Sequence, residues 1–136
     1  MSKDPIFFQI SSPRDMLEKA KREYSRMKLN LDTDIIFNFF VTTYHIMDYV
    51  KALGTIDGAA IQQMFDDKDF RMCNYVCNKG KHAILTNVSP YSSHSDGPPG
   101  GEIIHTVRTP DKTVRVEELA DKLIAKWEKF FADNRI

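Results

Sequence analysis

Apolar residues recur every three or four positions along most of this chain, and capping residues mark where each periodic stretch begins and ends. Met16, Leu17, Ala20, Tyr24, Met27 and Leu29 form one stripe, while Lys19, Lys21, Arg22, Glu23 and Arg26 cover the other side. That spacing predicts an amphipathic helix over residues 13 to 28. Ser11-Ser12-Pro13 opens it with a serine N-cap and a proline at the first helical position, and Asp15 complements the dipole of the first turn.

Asp32-Thr33-Asp34 starts a second helix by the same capping logic, and Gly54 ends it. The run from Ile35 to Val50 between them is apolar on most sides, which predicts a central, largely buried helix. A third helical region runs from Ala59 to about Asn78, with Ile61, Met64, Phe65, Phe70, Met72, Cys73, Val76 and Cys77 as its apolar positions. Asp66-Asp67-Lys68-Asp69 marks a potential break within it, where Asp67 or Asp69 would cap a separate second half, and Gly80 is its expected end.

Residues 86 to 101 are weakly hydrophobic and read as a long loop, of the kind that is usually either mobile or functional. Glu102 to Arg108 and Lys112 to Arg115 flank Thr109-Pro110-Asp111 and suggest a small β-hairpin. Val116 to Phe131 is a final amphipathic helix that buries Leu119, Leu123, Ile124, Trp127, Phe130 and Phe131. The expected fold is therefore mainly α: an antiparallel bundle of four to five helices, with a small hairpin before the last one. All of residues 1 to 136 form one domain, with no repeat and no interdomain linker.

Composition narrows the function classes. Lys+Arg and Asp+Glu are each 19, so the formal net charge is +0, which argues against holding nucleic acid by bulk charge alone. A local basic patch stays open, and neutrality favours self-association. Met1-Ser2-Lys3-Asp4-Pro5 carries no secretory pattern. The longest apolar run, Ile35 to Met47, is broken by Asn38, Thr42, Thr43 and His45 and is too short to span a bilayer. A soluble, cytoplasmic protein without membrane attachment is expected.

The polar residues on the helices need explaining, because an unpaired buried polar group costs about 1 to 3 kcal/mol. Asn38, Thr42, His45 and Asp48 make one polar line down the second helix, in which His45 and Asp48 are placed to hydrogen-bond across a turn. Arg71, Asn74 or Tyr75, Asn78 and His82 repeat the arrangement on the third. If the lines meet, they form a polar seam that opens at Lys79, Lys81 and His82. Hydrogen-bond networks that merely fix helix register are the structural alternative, and for His45 and Asp48 the better one.

Other chemistries find little footing. Cys73 and Cys77 share a helical face but are poorly placed for a disulfide and too few for a structural zinc site, so buried, inert thiols are expected. His45-x-x-Asp48 with His82 could offer three metal ligands, yet the paired Glu-x-x-His of a di-iron bundle is absent. No metal and no cofactor is expected. There is no Gly-x-Ser-x-Gly elbow, and the glycines from Gly97 to Gly101 are not followed by the Lys-Ser/Thr of a P-loop. His94 and His105 read as ordinary surface residues.

Asn78-Lys79-Gly80-Lys81-His82, at a helix end, resembles the signature of the HEPN superfamily, helical-bundle proteins of prokaryotic defence and toxin–antitoxin systems. In that signature an arginine, often followed by a polar residue such as asparagine, precedes a histidine near a helix end. Cys77 stands at the arginine's place here. Together with Phe39-Phe40-Val41-Thr42-Thr43-Tyr44-His45-Ile46-Met47-Asp48, the segment is also similar to bacterial and prophage-encoded helical proteins.

The resemblance implies a homodimer with a metal-independent site on RNA. Carried onto this chain, it implicates His82 as general base or acid and Asn78 as the residue orienting phosphate or ribose. Lys79, Lys81 and Arg71 would be the substrate-binding cations, with His45 and Asp48 as support behind them. The expected function is an RNA- or nucleotide-directed module. The competing expectation is a non-enzymatic module, a regulator or immunity protein that binds a partner protein. A small-molecule pocket between the second and third helices is a further possibility.

Overall fold

The computed structural model describes residues 11–88 and 103–136. Helix α1 (Pro13–Leu29) begins where Ser12 accepts from the Asp15 amide, and α2 (Thr33–Leu53) where Asp32 accepts from the amides of Asp34 and Ile35. Gly54 ends α2 at φ 70°, a left-handed conformation that a side chain would strain. The third helical region does divide: α3 (Gly58–Asp66) stops at Asp67, whose carboxylate then caps α4 (Lys68–Lys79) through the Asp69 and Phe70 amides. Gly80, at φ 72°, ends α4 and starts a 3₁₀ turn over Gly80–Ala83.

Strands β1 (Ile84–Val88), β2 (Ile103–Arg108) and β3 (Thr113–Arg115) form an antiparallel sheet in that order, and α5 (Val116–Asn134) follows without a break. The hairpin of β2 and β3 matches the expectation; β1 does not. The sequence pattern assigns Ile84 and Leu85 to no element and puts residues 86 to 88 at the start of a long loop. They are instead a strand, paired from Ile84↔Val107 to Val88↔Ile103. The remainder of the expected loop, with His94 and Gly97 to Gly101, lies outside the described residues. Among the described residues no helix is long and apolar enough to cross a membrane.

The core lies where α2, α4 and α5 converge. Trp127 of α5 is fully buried, donates from Nε1 to the Thr43 carbonyl of α2 at 3.0 Å, and meets Phe70 of α4 edge-on at 5.2 Å. Phe39, Phe40, Leu123 and Phe131 complete the apolar contact around it. Helix α2 also presents the backbone carbonyl of Phe40 to α4. Cys73 Sγ donates to it at 3.3 Å, and Cys77 Sγ lies at 3.8 Å. Cys73 is buried, and burial with the neighbouring Cys77 pushes its thiol well up. Cys77 is only half-buried, and the neighbouring Cys73 thiol lowers it despite burial.

An ionic clasp joins α5 to the start of α4. Lys126 Nζ lies 2.5 Å from Asp67 Oδ2 and 2.7 Å from Asp69 Oδ2, and Asp69 is buried. Burial works against the Asp67 carboxylate, but the Lys126 ammonium and the α4 amides outweigh it and lower its pKa below 3.8. Burial likewise opposes the Lys126 charge, and the two carboxylates overcome it and raise its pKa above 10.5. A lowered acid stabilises the fold above its unfolded value and loses that contribution as pH falls through the folded one. A raised base contributes below its unfolded value and loses it as pH rises through the folded one.

The clasp therefore acts at full strength between about 3.8 and 10.5. Asp67→Asn keeps a good N-cap but removes the charge. Urea unfolding across the acid range should show a shallower loss of stability in this variant than in the parent. Identical acid limbs would mean that the clasp contributes nothing.

Candidate functional site

The site is built where the end of α4 meets the hairpin turn. Because Ile84 pairs with Val107, His82, two residues upstream of Ile84, is carried to the end of β2. In β2 the side chains of His105 and Val107 turn inward, and Arg108, next along the strand, is exposed. The turn after it is held by Thr109. Its amide donates to the Lys112 carbonyl at 2.9 Å, and its Oγ1 accepts from the Asp111 and Lys112 amides at 3.3 and 3.2 Å. Pro110 at the tip suits such a turn because its ring presets φ.

Tyr75, Lys79 and His82 on one side and Arg108, Thr109 and Pro110 on the other line a groove of about 460 Å³, floored by Ala83 and Leu85. Lys79, His82 and Arg108 are exposed, and among the described residues no carboxylate lines this groove. The Lys79 ammonium stands 6.0 Å from the Tyr75 ring centroid. An imidazole, an ammonium and a guanidinium thus face one cleft, a donor set suited to a phosphate diester. Arg108, reached through the sheet, adds a guanidinium to the groove that holds His82. Sequence reasoning missed it because Arg108 is a lone cation on a short strand, far along the chain from His82.

The other expected residues are placed differently. Asn78 is exposed, donates to Asn74 Oδ1 at 3.3 Å, and lines neither this groove nor its neighbour. Lys81 forms an ion pair with Asp34 in the first turn of α2, outside the groove. Arg71 is one turn of α4 before Tyr75, in an adjoining groove, with its guanidinium 3.8 Å from Asp66. His45 and Asp48 are both exposed on α2, and His45 Nδ1 donates to the Val41 carbonyl at 2.7 Å rather than to Asp48.

The polar seam between α2 and α4 does not form. Asn38, His45 and Asp48 make the solvent face of α2, where water satisfies them. Thr42 alone of that line is buried, and it accepts from Lys19 Nζ of α1 at 2.9 Å, beside the Lys19–Glu23 ion pair. The α2–α4 contact runs instead through Phe40 and the two thiols. His105 is also not on the surface: it is buried and shares a 2.9 Å hydrogen bond between its Nδ1 and Thr86 Oγ1 across the β1–β2 pair. Among the described residues no three His, Cys, Asp or Glu side chains converge as metal ligands, so His45, Asp48 and His82 do not form such a trio.

No protein-family model, no curated protein and no solved structure matches this chain.

Proposed function

We propose that this protein is a HEPN-like, RNA-directed module of a bacterial or prophage defence system, acting in the cytoplasm as a homodimer. Its working surface is the groove between α4 and the β2–β3 turn. The observation that carries this reading is the presence of Arg108 in the same groove as His82 and Lys79. A phosphodiester seated there meets two cations, with an imidazole beside them to move a proton.

Cleavage without a metal then follows a simple course. His82 takes the proton of a ribose 2′-hydroxyl, whose oxygen attacks phosphorus. The 5′-oxygen leaves with a proton from solvent, and a 2′,3′-cyclic phosphate remains. Arg108 and Lys79 stabilise the charge that builds on the phosphoryl oxygens. Asn78, on the neighbouring face of α4, stands outside the groove and takes no part in this step.

Incubation of the purified protein with a mixed RNA pool in EDTA tests the reading. Fragments ending in cyclic phosphate are the expected product, together with salt-dependent retention on heparin. Intact RNA and no retention would remove the RNA reading. The weight would then pass to a non-enzymatic module that binds a partner protein.

A further inference from the structure

The groove at His82 is one end of a longer feature. Lys68, Arg71, Tyr75 and Lys79 follow one another along α4 at steps of three, four and four residues, and His82 stands in the 3₁₀ turn that follows. Such steps place the four α4 residues in one stripe on the helix. A second groove, of about 420 Å³, lies against the upper part of that stripe and is lined by Lys68, Arg71 and, from the hairpin turn, Lys112. The two grooves share Tyr75, Thr109 and Pro110, so they are continuous.

Among the described residues their combined lining holds five cationic side chains, Lys68, Arg71, Lys79, Arg108 and Lys112, and a single carboxylate, Asp111. In a chain whose formal net charge is +0, that is a marked local surplus. The Arg71–Asp66 pair does little to cancel it, because it is 3.8 Å long and both partners are exposed.

Resting on the RNA reading above, we infer that this stripe is a track for a single RNA strand. The strand runs between α4 and the hairpin turn with five cation–phosphate contacts, and the scissile phosphate sits at the His82 end, between Lys79 and Arg108. Lys68, Arg71 and Lys79 on α4 face Arg108 and Lys112 across one continuous groove, which suits a single backbone. Recognition of a duplex needs contacts spread over two successive minor grooves, whereas α4, with 12 residues, is only about 18 Å long. Tyr75, half-buried in the middle of the row, offers a ring on which a base can stack, as aromatic residues do in single-strand channels. The neighbouring Lys79 would hold the phosphate of the same nucleotide.

Fluorescence anisotropy with end-labelled single-stranded RNA at several salt concentrations tests the track. Five phosphate contacts predict a slope of log K against log salt of about −3.5, since each contact to a single strand contributes about −0.7. Two double variants separate the two claims. Lys79→Ala with Arg108→Ala empties the groove at His82, and Lys68→Ala with Lys112→Ala empties the far end of the track. Each pair is expected to bring the slope to about −2.1, and Tyr75→Ala to weaken binding without changing it.

If the first pair weakens binding and the second leaves slope and affinity as they were, the groove stands and the track is overturned. If the parent binds no RNA, the functional reading falls and the track with it. Equal affinity for a duplex of the same length, or for polyglutamate, would also overturn the single-strand assignment.

Discussion

Alanine at His82 is expected to lower RNA cleavage in EDTA by roughly a hundred- to ten-thousand-fold, the usual contribution of a positioned proton-transfer group. Arg108→Ala should cost about a hundred- to a thousand-fold, as removal of one charge-stabilising donor does. These two side chains come from separate elements, the turn after α4 and the end of β2, yet line one groove. Lysine at position 108 would keep the charge but lose the fork of donors, so partial recovery is the expected result.

Asn78→Ala is the informative contrast. Its amide is turned to Asn74 and lies outside the groove, so its loss should have a small effect. The measurement is the initial rate of fragment formation, with circular dichroism to show that each variant is folded. An Arg108→Ala protein that cleaves like the parent would break the link between the groove and the chemistry. A large loss in Asn78→Ala would place the working surface on the neighbouring face of α4.

Trp127→Ala is expected to destabilise the fold by about 3 to 5 kcal/mol, the range for truncating a large buried aromatic. Trp127 is fully buried against Phe70, Phe130 and Phe131, so little of its volume can be refilled by solvent or by a small shift. The substitution also strips the Thr43 carbonyl of its indole donor in the interior. Domains of this kind have about 5 to 15 kcal/mol in total, so the variant would be near the limit of folding.

Trp127→Phe separates the two parts. It keeps a ring in the core and removes the donor, for an expected cost of about 1 to 3 kcal/mol. Urea unfolding gives both values. A loss below about 1 kcal/mol in Trp127→Ala would mean that α5 does not anchor the bundle through this residue.

What could be read from the sequence was whatever local forces decide. The starts of α1, α2 and α4 rest on a carboxylate or hydroxyl bonded to amides two or three residues away, supplied by Ser12, Asp32 and Asp67. Gly54 and Gly80 end α2 and α4 because each adopts a positive φ. The apolar periodicity of α1 and α5, the division at Asp67 and the β2–β3 hairpin belong to the same class. In each, the partners are close in the chain and the pattern itself specifies the hydrogen bonds.

The tertiary structure decided the rest. β1 is a strand because β2, some twenty residues further on, supplies its hydrogen-bond partners. The polar line of α2 is a solvent face rather than a seam, since periodicity marks a face without saying which neighbour covers it. His105 looked like a surface residue and is buried by the register of the sheet. The groove itself depends on the same pairing. Only the alignment of Ile84 with Val107 carries Arg108 to His82, and a contact between distant residues leaves no periodic trace in either segment.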